Sequence, residues 1–490
     1  MSDSIEKYNT VLPGNSAAPF SAIHWILIAC VLLVEIGVLV ALGCLGPVSG
    51  LFLLGGSGFI VLSLTRPTAA WLAVIALVPF SLEIMLPGTR SAVQVPTEPM
   101  ILLLEGIWIL RLLQGGRIRL PARRLTWATA AWMAVLFFSC LYSDYSRASL
   151  KTSVNLLWYV VFGLFLAGAS LRNLRDLRRF AMAVSVPAAA VSIYYLQNVI
   201  RSGLSVETSN LGAMPFFAEH GTFAAYLCFA FPMAVLCFLW AGQYLSRFFF
   251  AGVGLLVLTG ILCSLTRAAW LGFLGIVAVF IFYSIRSRRG RQMAIVFLIL
   301  VLALGGIAAA RSASTLSQHA QSVVDVRTNI SNLERINRWA AAYDMFRAHP
   351  VGGVGFGAYK HHYYEFRRVR LATTESGPKA GAHSIYLSVL SETGVIGGIV
   401  GLLFTVSLFS LVGRIIARCR RLGEQGRPIG QMTIALTAGL VSYAVHGFFN
   451  YYPSWDKVNV PIWTFVGALA ACAGLAASME STDGTTRHAS

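Results

Sequence analysis

Runs of mostly apolar residues, each about the 20-residue length that a helix needs to cross a hydrocarbon layer, recur along the chain between short polar connections. They lie near 22–43, 48–65, 68–86, 97–113, 125–143, 152–170, 180–200, 220–241 and 247–265, then near 268–285, 293–310, 384–412, 432–449 and 458–477. A bilayer offers no partner to a free backbone group, so the pattern predicts an all-α polytopic bundle. The second and fourth runs are short or interrupted, which gives about 12–14 spans. One interval breaks the rhythm. Residues 311–383 form a long polar loop, and the chain divides into 1–310 (first part of the bundle), 311–383 (the loop) and 384–490 (the C-terminal spans).

Charge then gives the orientation. Arg111, Arg117, Arg119, Arg123 and Arg124 share one short connection, and Arg172, Arg175, Arg178 and Arg179 another. Arg286, Arg288, Arg289 and Arg291 form a third cluster; Arg414, Arg418, Arg420, Arg421 and Arg427 form a fourth. With Arg66 and Arg247 these place 20 positive residues on one side, against six (Arg90, Arg147, Lys151, Arg201, Arg267 and Lys457) in the opposite short loops. The positive-inside rule makes the crowded side cytoplasmic, with both termini there and the long loop outside. The N-terminus lacks a basic stretch before its first apolar run, so that run reads as a retained anchor.

Composition excludes the other classes. At 57% hydrophobic and 12% charged residues the chain cannot be a soluble domain. Its net charge of +18 would suit nucleic acid, but the arginines are spent on topology and on contacts with membrane lipids, with no aromatic-interleaved basic surface. Eight scattered cysteines without a Cys-x-x-Cys pair support neither a disulfide framework nor a zinc site. No internal repeat or inverted pair of broken helices points to a transporter.

The polar chemistry gathers in and beside the loop, which carries ten Lys/Arg against five Asp/Glu and five of the nine histidines. Ser331–Arg347 is predicted to be a helix: Ser331 and Glu334 have capping-box spacing, and Leu333, Ile336, Ala340, Tyr343 and Phe346 recur at helical intervals. Arg335 and Arg338 then share a face. His349-Pro350 ends the helix, and Gly352 to Gly357 form a glycine-rich turn whose amides, through Gly355 and Gly357, can approach something closely. His383 stands at the mouth of the next span, where an imidazole near its ordinary pKa can take a proton at neutral pH. Glu392 follows within that run. Arg267 sits between two apolar runs with almost no loop between them, a position that favours an anionic partner. Arg201, Glu219 and His220 lie on the same side. Glu35 and Glu105 fall inside predicted spans and are expected to pair with arginines or hydroxyls.

Three segments carry a family resemblance. Glu334-Arg335-Ile336-Asn337-Arg338-Trp339, followed by Met345 to Pro350 and by Gly353-Val354-Gly355-Phe356-Gly357, resembles the external-loop motif of the bacterial O-antigen ligase and O-antigen polymerase superfamily. Ala382 to Leu387 with Glu392 to Gly397 looks like the motif that closes that loop, and Thr266 to Gly272 is similar to the family's boundary-arginine segment.

The resemblance implies a metal-independent, inverting glycosyltransferase of the type C membrane class that needs no cofactor. Such an enzyme takes a glycan from undecaprenyl pyrophosphate at the periplasmic face of the inner membrane. It also implies His383 as general base on the acceptor hydroxyl. Arg267 and Arg338 are implied to hold the donor pyrophosphate, with Arg335 and Arg201 as further candidates. Glu219, His220, His349, Gly355, Gly357 and Glu392 are candidate substrate contacts. The acceptor is another glycan or a lipid A core, and a chain-length regulator and a flippase are candidate partners. Ligases of the family carry an arginine and an Asn-Pro-Asn around a Gly-Thr-Phe-like segment. Phe217 to Tyr226 has neither. Some polymerases pair an arginine with a glycine eleven positions on, as Arg201 with Gly212 and Arg370 with Gly381 do here. The first expectation is therefore polymerisation of repeat units of an O-antigen, capsule or exopolysaccharide, the second O-antigen ligation, and the third transport of a lipid-linked oligosaccharide.

Overall fold

The computed structural model describes residues 47–85, 92–115, 122–284, 292, 330–368, 381–452 and 455–488. The expected spans at 22–43 and 293–310, the Arg286–Arg291 cluster, Arg90, Arg117, Arg119, Arg370, Glu35 and His319 lie outside the described residues. The chain runs through α1 (Pro47–Thr65), α2 (Pro67–Leu77), β1 (Leu82–Met85), β2 (Ala92–Val95), α3 (Thr97–Leu113), α4 (Arg123–Ser139) and α5 (Ser146–Ser170). It continues with α6 (Leu174–Ser202), α7 (Val206–Leu211), α8 (His220–Trp240), α9 (Tyr244–Cys263), α10 (Arg267–Ser284), α11 (Ile330–Ala348) and α12 (Tyr359–Phe366). It ends with α13 (Ile385–Arg421), α14 (Arg427–His446) and α15 (Asp456–His488). The protein is an all-α polytopic membrane protein. Among the described residues seven helices (α5, α6, α8, α9, α13, α14 and α15) are long and apolar enough to cross a membrane. Five more expected spans are occupied by α1, α2, α3, α4 and α10.

Helix α8 is the core of the bundle and packs against α6, α9, α10, α14 and α15. Lipid supplies no hydrophobic drive between helices, so close approach must come from small residues. Gly272 of α10 shows this: a Cβ there would stand 2.8 Å from Ser442 Oγ on α14. Gly163 likewise leaves no room before Trp463 of α15. Gly163 lies in a π-helical stretch of α5, Val161–Phe165, whose wider turn frees backbone groups for other partners. The Phe162 carbonyl accepts from Trp71 Nε1 at 3.1 Å, and the buried Glu105 carboxylate lies against the Phe162 N–H. Glu105 thus meets backbone where an arginine or hydroxyl was expected.

Two further expectations change. The run at 68–86 stops early. Pro79 cannot donate to a helix, and Leu82–Met85 instead pairs antiparallel with Ala92–Val95, Leu82 opposite Val95 and Met85 opposite Ala92. This hairpin is rooted by buried charge. Lys457 Nζ donates to the carbonyls of Val78 (3.0 Å) and Ser81 (2.7 Å), while Asp456 Oδ2 accepts from Ser81 Oγ and Thr97 Oγ1, both at 2.6 Å. Lys457, counted above among loop charges, is therefore a buried structural cation. The run at 384–412 is also not one helix, because Gly394 (φ 62°, ψ −162°) breaks it.

The helix ends sort into two faces. Arg418 and Arg421 reach Glu480 at 2.6 and 3.0 Å, and Trp240 Nε1 donates to Gln431 at 2.8 Å, all at the arginine-rich end. The hairpin, α7, α11, α12 and the C-terminal end of α14 share the other. We expect a single cysteine at exposed Tyr343, in a background with the native cysteines replaced, to react with an impermeant maleimide in intact spheroplasts. A cysteine at Glu424 should react only after lysis. The reverse pattern would invert the orientation.

Candidate functional site

The site is assembled on the helix break at Gly394. Its ψ lies outside any helix, and a Cβ there would run into the Val351 carbonyl, so only glycine fits. The break strips the helix of local hydrogen bonds, and the glycine-rich turn replaces them. Val354 and Gly355 donate to the carbonyls of Ser391 (3.0 Å) and Glu392 (2.9 Å), while Val395 and Ile396 donate to Pro350 (2.8 Å) and Val351 (3.4 Å). Gly353, Gly355 and Gly357 have φ of 71°, 105° and 78°. Side chains at these positions would collide with the Glu392–Thr393 backbone, Ser143 and Thr152 respectively. The close approach expected of Gly355 and Gly357 is to the chain itself. The Glu392 carboxylate, 1% exposed, completes the joint by accepting from Tyr359 N–H and Tyr451 Oη, both at 3.2 Å, and from the Gly357 N–H.

This joint fixes α11 and the segment before α13. Helix α11 begins at Ile330 and ends at Ala348, one residue beyond the predicted bounds at each end. His383 is half-buried with φ 49°. Among the described residues it and Leu265 (φ 50°) are the two non-glycine residues in the left-handed region, and Leu265 lies two residues before Arg267. Such backbone costs energy and persists where the surroundings impose it. At His383 the imposing contacts are Trp339 Nε1 donating to its carbonyl (3.5 Å) and Ile385 N–H donating to Gly447 (2.8 Å).

The arginines divide. Arg338 is 3% exposed. Its Nε lies 2.7 Å from Glu334 Oε1, its Nη1 reaches the Gly381 carbonyl at 3.5 Å, and its guanidinium covers the Tyr363 ring at 4.7 Å. Arg335, one turn earlier and half-buried, faces the bundle. Its charge acts on Arg267, Glu219 and Tyr452, and on His383 and His446. Burial, then the neighbouring Arg267, pull the Arg335 guanidinium below its usual range. Burial pushes the Glu219 carboxyl up, against hydrogen bonds from Thr222 (3.3 Å) and Tyr452. Burial, then the charges of Arg338 and Arg335, push the His383 imidazole down to about 4. The ring is thus neutral at pH 7, beside two guanidiniums.

The other candidates lie apart. Arg201 is exposed at the end of α6, and His349 is exposed after α11. His220 is half-buried at the start of α8, its N–H 3.4 Å from Asn210 Oδ1. Sequence reasoning missed His446, Asn450 and Tyr452, where Asn450 Nδ2 and Tyr452 Oη lie 2.9 and 3.5 Å from His446 Nε2. A signal was available, since His446 falls inside a predicted span and an ionisable group there is a candidate by default.

The fold and its charged end define a multi-pass membrane protein with a polar site at one face. Residues 252–402 match the family model described as O-antigen ligase. The match supports the O-antigen ligase and polymerase superfamily for this chain. It takes in Arg267, α11, the glycine-rich turn and His383, and leaves Glu219 and His446–Tyr452 outside. No curated protein matches the chain.

Two outcomes are expected. Gly394→Ala should leave the four clamping bonds unmade and the turn undocked, seen as a lower Tm in detergent and faster proteolysis of the loop; native-like resistance would refute the clamp. The unfolded chain protonates an imidazole below about 6.5 while His383 in the fold resists until about 4. Stability should therefore fall as pH drops across that window. His383→Gln should flatten part of the fall. An unchanged slope of Tm against pH would exclude a neutral buried imidazole.

Proposed function

We propose that the protein is a glycosyltransferase of the bacterial inner membrane that takes a glycan from undecaprenyl pyrophosphate at the periplasmic face. We assign the acceptor as another lipid-linked glycan, so that repeat units are joined into a surface polysaccharide. The observation that carries the reading is that residues 252–402, which match the family model, bring together Arg267, Arg335 and His383, the last held in left-handed backbone at the mouth of α13 within the charge field of Arg335.

In this reading Arg335 and Arg267 hold the donor pyrophosphate, whose leaving charge grows as the anomeric C–O bond breaks. Guanidinium forks suit phosphate oxygens in pairs. His383 takes the proton of the acceptor hydroxyl as that oxygen attacks the anomeric carbon from the opposite side, with inversion. A base pulled down to about 4 is weak. Nearby positive charge disfavours the imidazolium, and a bound pyrophosphate cancels part of that charge. Donor binding thus strengthens the base when it is needed. Arg338, held by Glu334 and Tyr363, acts here as a positioning residue between α11 and Gly381.

A second reading, transfer of a finished glycan to lipid A core or another acceptor, is favoured by the description of the matching family as O-antigen ligase.

The test is a deletion strain complemented with wild type, His383→Ala, Arg335→Lys or Arg267→Lys, with lipid-linked and surface glycans resolved by gel and mass spectrometry. Single repeat units exposed on the periplasmic face of the membrane, with loss of long polymer, are expected for polymerisation. Long polymer retained on the lipid carrier would assign ligation instead. In vitro, His383→Ala should lower turnover by about 100-fold or more. Wild-type turnover by this variant would overturn the reading.

A further inference from the structure

The arginine-rich end of the bundle holds two adjoining cavities that the transfer reading does not use. The first, about 230 Å³, has apolar walls from Trp71, Leu104, Trp108 and Leu166, with Arg111 and Arg172 at its rim. The second, about 440 Å³, is lined by Arg66, Arg179 and Asp176. The two share Pro67 and Thr68.

Both rim arginines are fixed by backbone. Arg111 Nη2 donates to the Leu64 carbonyl at 2.6 Å, and Arg172 Nε donates to Ala169 at 2.7 Å. Among the described residues no carboxylate stands at ion-pairing distance from either guanidinium. The one acidic residue here, Asp176, is occupied in opening α6: its carboxylate accepts the Arg172 N–H at 3.2 Å and lies 3.8 Å from Arg179. Two anchored cations of like charge thus face one apolar slot. Asp176 lies within the charge field of Arg172 but at no ion-pairing distance from its guanidinium, so the two cations still repel across the slot, whereas a phosphate between them would make charge-assisted bonds to the unused guanidinium nitrogens.

We infer that this slot is a binding site for an anionic phospholipid of the membrane leaflet at the arginine-rich end. The phosphate sits between Arg111 and Arg172, and an acyl chain lies along Trp71, Leu104 and Trp108. The combination distinguishes a lipid from a soluble anion, since a free phosphate has no use for an aromatic and aliphatic wall. The site is at the opposite end of the bundle from His383 and does not depend on the transfer reading.

Native mass spectrometry of the full chain in mild detergent tests this with phosphatidylglycerol, phosphatidylcholine and inorganic phosphate as probes. Wild type should hold phosphatidylglycerol about tenfold more tightly than phosphatidylcholine, and inorganic phosphate should not displace it. Arg172→Gln should lose the preference. Ala169→Trp, which narrows the slot without changing its charge, should weaken retention of the lipid. Arg111 also secures the end of α1, so Arg172→Gln is the deciding variant and its Tm in detergent reports the fold. Equal retention of the two lipids, or an intact preference in Arg172→Gln, overturns the inference. Full displacement by inorganic phosphate overturns it as well, by assigning the slot to a soluble anion.

Discussion

A helix interrupted where it enters a membrane leaves backbone donors and acceptors with neither a helical partner nor water, and each one left alone costs several kcal/mol. In this protein the interruption is at Gly394, and the groups it orphans are answered by one segment, Pro350 to Gly355. That requirement organises this end of the molecule. It sets where the glycine-rich turn lies, and hence where the C-terminal end of α11, just before that turn, is held. Glu392 adds a buried carboxylate at the same point and gathers α12 and the segment after α14 through Tyr359 and Tyr451.

Around this joint the charges are placed unequally. Arg338 is consumed by Glu334, Gly381 and Tyr363, whereas Arg335 projects its field toward Arg267, Glu219 and His446. Two residues on one helix, three apart, therefore serve different ends. Arg338 ties the loop to itself while bearing on His383 ahead of Arg335, and Arg335 carries the field on to Arg267 and Glu219. The imidazole between them stays uncharged because burial, and after it the two neighbouring positive charges, disfavour its protonation.

Much of this was legible in the sequence, for stated physical reasons. Spans show because hydrocarbon tolerates little else, and the helix over Ser331–Arg347 shows because its apolar positions keep a helical period and Pro350 cannot continue it. His383 and Arg267 stood out as polar groups at apolar boundaries. What was not legible depends on tertiary pairing. The hairpin at 82–95 is hidden because its strands are apolar enough to extend a neighbouring span. The break at Gly394 is hidden because glycine is ordinary in membrane helices. The partner of the glycine-rich turn could not be read either, since its contacts come from residues 143, 152 and 392. Which of Arg335 and Arg338 faces the cleft rests on a cross-loop contact with Gly381 and Tyr363 that helical spacing does not encode.

The clamp between the turn and the Gly394 break is made by main-chain atoms on both sides. The side chains it does call on, besides the glycines that let the two backbones meet, are buried ones: Glu392 beneath the joint, and Ser143 and Ser139, which bond the Val354 carbonyl and the Phe356 N–H at 3.0 and 3.1 Å. The outward-facing side chains of the loop, those of Tyr343, Val351 and Tyr364 among them, make none of the four clamping bonds. Position and surface chemistry are separately adjustable. A lineage could exchange the exposed face of this loop for another, and with it the partners that the face meets, while the geometry beneath it stays the same.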